Sequence, residues 1–164
     1  MAAPPSSAPS ALRFTLVPVT VFAEAVKGAR VVGLRIAAGR LHPLAQAILL
    51  VDSEVEIDDV EVRGAGIGIE MRGAASPVLV GNTVADCAAE GILISGPSAP
   101  WLSHNSLLRN GRAGIAAHDG ANPVLLDNVF QNNGLELSES AKMNAAREKN
   151  FFLEIKPQRG GRKQ

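Results

Sequence analysis

The chain has 164 residues, of which 46% are hydrophobic and 4% aromatic, with 16 basic and 16 acidic side chains that cancel to zero net charge. That length suits one domain with its own core, and the charge balance excludes nucleic-acid or membrane-surface binding driven by bulk electrostatics. No apolar run approaches the ~18 residues that cross a bilayer, and a single cysteine, Cys87, excludes an internal disulfide framework or an all-cysteine zinc site.

Residues 1–11 are rich in Pro, Ala and Ser and are expected to form a disordered tail. The start MAAPPSSAPS has neither the charged nor the apolar region of a signal peptide, and with a lone free thiol this leans towards a cytoplasmic setting. Residues 12–155 are expected to form one domain, with 12–29 capping its first end. From Ile36 to Ile48 is 12 residues where later units use 7 or 8, so residues 37–46 (AAGRLHPLAQ) are expected to protrude as a loop.

The middle of the chain repeats. Pro77, Pro100 and Pro123 lie 23 residues apart, as do Asn82, Asn105 and Asn128. Each unit also carries a Gly-Ile element, at Gly66-Ile67, Gly91-Ile92 and Gly114-Ile115. Extended backwards with a period of 24, the phase gives three columns. The first is Val31, Val55, Leu79, Leu102 and Leu125; the second is Leu34, Asp58, Asn82, Asn105 and Asn128; the third is Ile36, Val60, Val84, Leu107 and Phe130. Apolar residues alternate within a unit, which is the strand period, and Gly, Pro and Asn punctuate at fixed offsets as turn residues do. Such a unit cannot bury its own apolar face, but stacked units bury a continuous core. Residues 138–150 (SESAKMNAAREKN) break the repeat and read as a polar helix capped by Ser138 or Ser140. Phe151–Ile155 then returns as a strand, residues 136–155 cap the second end, and residues 156–164 form a basic flexible tail.

The pattern Pro-x-Leu-x-x-Asn-x-Val followed by Gly-Ile-x-Ile resembles the repeat of right-handed parallel β-helix, pectin-lyase-like proteins over about residues 30–135. The resemblance implies an all-β solenoid of five to six coils, three parallel sheets and an asparagine ladder at one corner. Enzymes and binders share that fold, so it leaves activity open.

Residues one repeat apart should be neighbours about 4.8 Å apart. On the first sheet, Ile48, Ile67, Ile92 and Ile115 should point inward beside Leu50, Ile69, Ile94 and Ala117. Val51, Glu70, Ser95 and His118 should share an outward column. Cys87, Asn110 and Asn133 should form a second polar column at another corner. Outward on the second sheet should stand Arg30, Glu54, Val78, Trp101 and Val124, beside Val32, Glu56, Val80, Ser103 and Leu126.

Glu70, Ser95 and His118 offer an acid, a nucleophile and a base, the weak catalytic candidates here, although a triad needs its acid behind the imidazole. His104 and Asp127 should stack as a pair, and Asp58-Asp59 is the only Asp-Asp pair, with no acidic cluster facing Arg72 or Arg109. Gly64-Ala65-Gly66-Ile67-Gly68 lacks the spacing of a nucleotide loop. Val78, Val80, Trp101, Val124 and Leu126 should form one apolar patch, the candidate binding site. A partner should cover it, or else Phe151 and Phe152 of the chain itself should fold over Trp101.

These readings point to a non-catalytic binding or scaffold module that presents flat sheet faces to a protein partner, a second copy of itself or an extended carbohydrate. The alternative is a polysaccharide lyase or hydrolase working near Glu70, Ser95 and His118. No cofactor, metal, nucleic acid or membrane is expected.

Overall fold

The computed structural model describes residues 19–37, 45–138 and 149–153. Three strands make each coil. The first coil is β1 (Val19–Glu24), β2 (Lys27–Val32) and β3 (Arg35–Ala37); the second is β4 (Gln46–Val51), β5 (Glu54–Asp58) and β6 (Glu61–Arg63). The third coil is β7 (Ile67–Arg72), β8 (Val78–Val80) and β9 (Thr83–Ala85), and the fourth is β10 (Ile92–Ile94), β11 (Trp101–Ser103) and β12 (Ser106–Leu108). The fifth is β13 (Ala113–Ala117), β14 (Val124–Leu126) and β15 (Val129–Gln131), after which β16 (Leu135–Leu137) and β17 (Phe151–Leu153) begin a further rung. Strands of like position pair in parallel, giving sheets ordered β1-β4-β7-β10-β13-β16, β2-β5-β8-β11-β14 and β3-β6-β9-β12-β15-β17. This is the expected solenoid, with about five full coils.

Single residues in the left-handed backbone region turn the chain out of each strand. Between the second and third sheets these are Gly33, Asp59, Gly81, His104 and Asp127, and after the third sheet Gly64, Asp86, Arg109 and Asn132. Gly, Asp and Asn accept that conformation at least cost, which is why they recur at these offsets.

The residue after the first of these corners carries the ladder. The Asn82 amide nitrogen donates to Ile57 O (2.9 Å), while Asn105 Oδ1 accepts both the backbone N–H and the amide of Asn82. Asn105 repeats this with Leu79 O and Asn128. Asn128 in turn bonds to Leu102 O and to Asn150 Oδ1. Cys87, Asn110 and Asn133 form the expected second column, with Cys87 N–H donating to Asn110 Oδ1 and Asn110 N–H to Asn133 Oδ1.

The interior is filled by stacked columns. Ile48, Ile69, Ile92, Ile115 and Leu137 make one, and Ile57, Leu79, Leu102 and Leu125 another, all buried. Phe130 and Phe152 end a third column with rings stacked at 5.0 Å.

The 24-residue phase fails around the second coil. Val31 pairs with Ile57, not Val55, and Ile36 with Val62, not Val60; Ile48 meets Ile69, not Ile67. The spacing is therefore 26 residues from Val31 to Ile57 and 22 from Ile57 to Leu79. A slip of two residues preserves the inside-outside alternation, so hydrophobicity alone cannot detect it. Val60, not Asp58, stands in the ladder column and gives its N–H to Asn82 Oδ1.

Further expectations change at the ends. Residues 19–29, expected in a cap, belong to the first coil through β1 and β2. The expected loop shrinks, since Ala37 closes β3 and Gln46 opens β4. No α-helix occurs among the described residues, and most of the helix expected over 138–150 lies outside them. Ser138, its expected cap, instead accepts the Ala117 N–H on its Oγ, and Asn150, its expected last residue, extends the ladder. The two expected tails and residues 38–44 also lie outside the described residues.

Candidate functional site

On the outward face of the first sheet, the three catalytic candidates do not come together. Glu70 stands between Leu49 and Leu93, buried at 3% exposure, where Gln46 Nε2 (2.7 Å) and Arg72 Nε donate to its carboxylate. Ser95 follows Ile94, the partner of Met71, so it stands over Arg72 instead. Its hydroxyl donates to Met71 O at 3.3 Å. His118 follows Ala117, the partner of Ile94, and so is the neighbour of Ser95 as expected. The two-residue slip thus replaces an acid with a guanidinium beneath the serine.

His104 and Asp127 do stack at the corner before the ladder, both exposed, with Nε2 and Oδ2 3.8 Å apart. Asp59, not Ile57, shares their column below Gly81. Asp58 points out of β5 and receives Arg30 Nη2 at 2.7 Å. No group of three His, Cys, Asp or Glu side chains able to hold a metal occurs among the described residues. The glycines near Gly66 serve the winding: a Cβ on Gly68 would lie 2.4 Å from Gly91 O, a clash between coils. Burial pushes the Cys87 thiol up to about 12, so it is not a reactive nucleophile.

A charged strip along the third sheet and its corner went unread in the sequence. Arg109 gives Asp86 two bonds, at 2.7 and 2.8 Å, and Arg63 adds one at 3.2 Å; Arg63 and Arg35 both reach Glu61. The Arg109 guanidinium, aided by Arg63, holds the Asp86 carboxyl below its ordinary value, and Arg63 does the same for Glu61. The signal was present, because Asp86 and Arg109 lie one 23-residue repeat apart.

The outward face of the second sheet has two kinds of rung. Its columns are Arg30, Glu56, Val78, Trp101 and Val124, beside Val32, Asp58, Val80, Ser103 and Leu126. Glu56 and Asp58 thus replace the expected Glu54 and Glu56. The first two coils are ion-paired across rungs: Lys27 with Glu54 (3.0 Å), and Arg30 with Glu56 (3.4 Å) and Asp58 (2.7 Å). The last three rungs carry the expected patch, in which Val78, Trp101 and Val124 are 38%, 43% and 44% exposed. Phe152 stacks on Phe130 and Phe151 pairs beside Val129 in the third sheet, so neither aromatic folds over Trp101 as expected.

Beside this patch lies a shallow hollow of about 350 Å³ lined by Gly28, Glu54, Val55, Glu56, Ser76 and Val78. It forms where the register shifts between Lys27 and Ala29 and where β8 starts opposite Glu56, leaving Glu54 to overhang. Gly28, with φ of 70°, has open space on the side where a Cβ would stand.

Comparison with known proteins adds to this geometry. No curated protein and no solved structure matches the chain. The model of the right-handed beta helix region matches residues 41–155, most of the chain. Three parallel sheets, repeating corners and an asparagine ladder are the physical content of that match, and the chain belongs to the right-handed beta helix family.

Proposed function

We propose that this chain is a non-catalytic binding module that docks a protein surface on the outward face of its second sheet. The observation that carries the reading is the run of Val78, Trp101 and Val124, exposed on consecutive rungs of a flat sheet. An aromatic anchor flanked by aliphatic side chains is what a protein interface concentrates at its centre. A sugar platform would place polar hydrogen-bonding groups around the ring, and here its rung neighbours are valines. The alternative of a polysaccharide lyase or hydrolase draws less support, because Gln46 and Arg72 hold Glu70 outside the Ser95-His118 column.

The test uses Trp101 as its own probe, since it is the sole tryptophan. In dilute wild-type chain, acrylamide should quench the indole freely. Trp101→Thr, which retains strand propensity, should change stability by no more than about 1 kcal/mol. A shielded indole, or destabilisation beyond about 2 kcal/mol, makes Trp101 a packing residue and overturns the reading. Calcium-dependent cleavage of a polyuronate by the wild-type chain overturns it in favour of the enzyme.

A further inference from the structure

The docking face carries both a projection and a depression, and their placement is self-complementary. Trp101 stands on the fourth rung, while the hollow is centred on Glu54 and Glu56 of the second, with Val78 of the third between them. A two-fold axis lying in the interface and running along β8 exchanges the fourth rung with the second and the fifth with the first. We infer that the partner of this face is a second copy of the same chain, packed with its solenoid axis antiparallel. The inference rests on the docking-face reading and names its occupant.

Each exposed group on the face then meets a group that suits it. The indole of Trp101 enters the hollow of the other copy, where the carboxylates of Glu54 and Glu56 can accept from its N–H. Val78 meets Val78 of the other copy on the axis. Leu126 faces Val32, which at 54% exposure is otherwise an apolar residue stranded among the charged rungs.

Charge selects this orientation over its rival. With the solenoid axes parallel, the first two rungs would face themselves, setting Arg30 against Arg30 and Glu56 against Glu56, which is repulsive. The antiparallel arrangement sets those rungs, already ion-paired within one chain, against uncharged ones.

Five rungs about 4.8 Å apart and strands of ~3.3 Å per residue give a face of roughly 400 Å² per copy. That lies below the ~800 Å² per partner of a standard stable interface, so the dimer is weak and reversible.

Sedimentation of the full chain from about 10 µM to about 1 mM should show an average mass rising from one chain towards two. Trp101→Asp should weaken the association at least tenfold, and Trp101→Thr, which keeps strand propensity, should weaken it in the same direction. Orientation is read with a bismaleimide linker shorter than two rung spacings, about 10 Å. Val78→Cys should yield a covalent dimer, whereas Val124→Cys, four rungs from its counterpart, should not. Wild type, whose only thiol is the buried Cys87, gives the background. A wild-type chain that stays monomeric over the whole range overturns the inference, and so does linking through position 124 as efficient as through position 78. If monomeric wild type keeps a freely quenched Trp101, the docking face stands and only the second copy falls as its occupant.

Discussion

At the scale of single residues, the asparagines separate architecture from chemistry. Asn105 is fully buried and spends all of its amide on neighbouring coils: Oδ1 accepts twice from Asn82, and Nδ2 donates to Leu79 O and Asn128 Oδ1. Asn105→Ala leaves a backbone N–H and a carbonyl without partners away from water, which costs about 1–3 kcal/mol. Urea unfolding should show that loss, and one below about 0.5 kcal/mol would mean that water replaces the amide. The ladder was legible because buried amides demand partners at a fixed period. Asn150 was not, because the polar stretch before it dominates any helix pattern that includes it. Glu70 was misplaced for a different reason: its column depends on a register that alternation cannot define.

At the scale of strands and corners, side chains reach between coils as well as along them. The strip from Arg35 through Glu61, Arg63 and Asp86 to Arg109 spans four coils by ion pairs. Arg109 occupies a left-handed corner that disfavours it, and its paired bonds to Asp86 offset that cost. Because Asp86 has its carboxyl lowered in the fold, its contribution is present above the unfolded carboxylate range and is lost as pH falls through the folded value. Asp86→Asn should therefore flatten the acid limb of stability against pH while changing little near neutrality, as these groups are solvent-screened. Thermal melts between pH 2 and pH 7 check this, with an unchanged acid limb counting against the strip. The sequence did not disclose the strip because long charged side chains choose partners by reach, which a column of Cα positions does not encode. The apolar patch, by contrast, was legible at Val78, Trp101 and Val124, since the later coils keep a regular 23-residue spacing.

At the scale of the whole molecule, contacts are almost entirely between one coil and the next, as the three sheet orders require. Stability in such a stack is approximately a sum over coils and their interfaces. The fold was legible because each coil repeats the same demands. The slip at the second coil was not, because a register shift at Gly28 leaves the alternation of buried and exposed residues intact.

The asparagine spine also has a direction, each amide taking hydrogens from the rung before it. A one-way spine with identical steps is indifferent to height. Excising residues 92–114, one whole winding, joins Gly91 to Ile115, the register partner of the lost Ile92, and brings Asn128 over Asn82. That shortened chain should melt in a single cooperative transition below that of wild type. Excising 92–112 instead, two residues fewer, keeps every buried side chain apolar yet sets the amides out of step, and should abolish cooperative folding when followed by circular dichroism. Such a molecule grows or shrinks in whole turns, and the amide spine polices the joint.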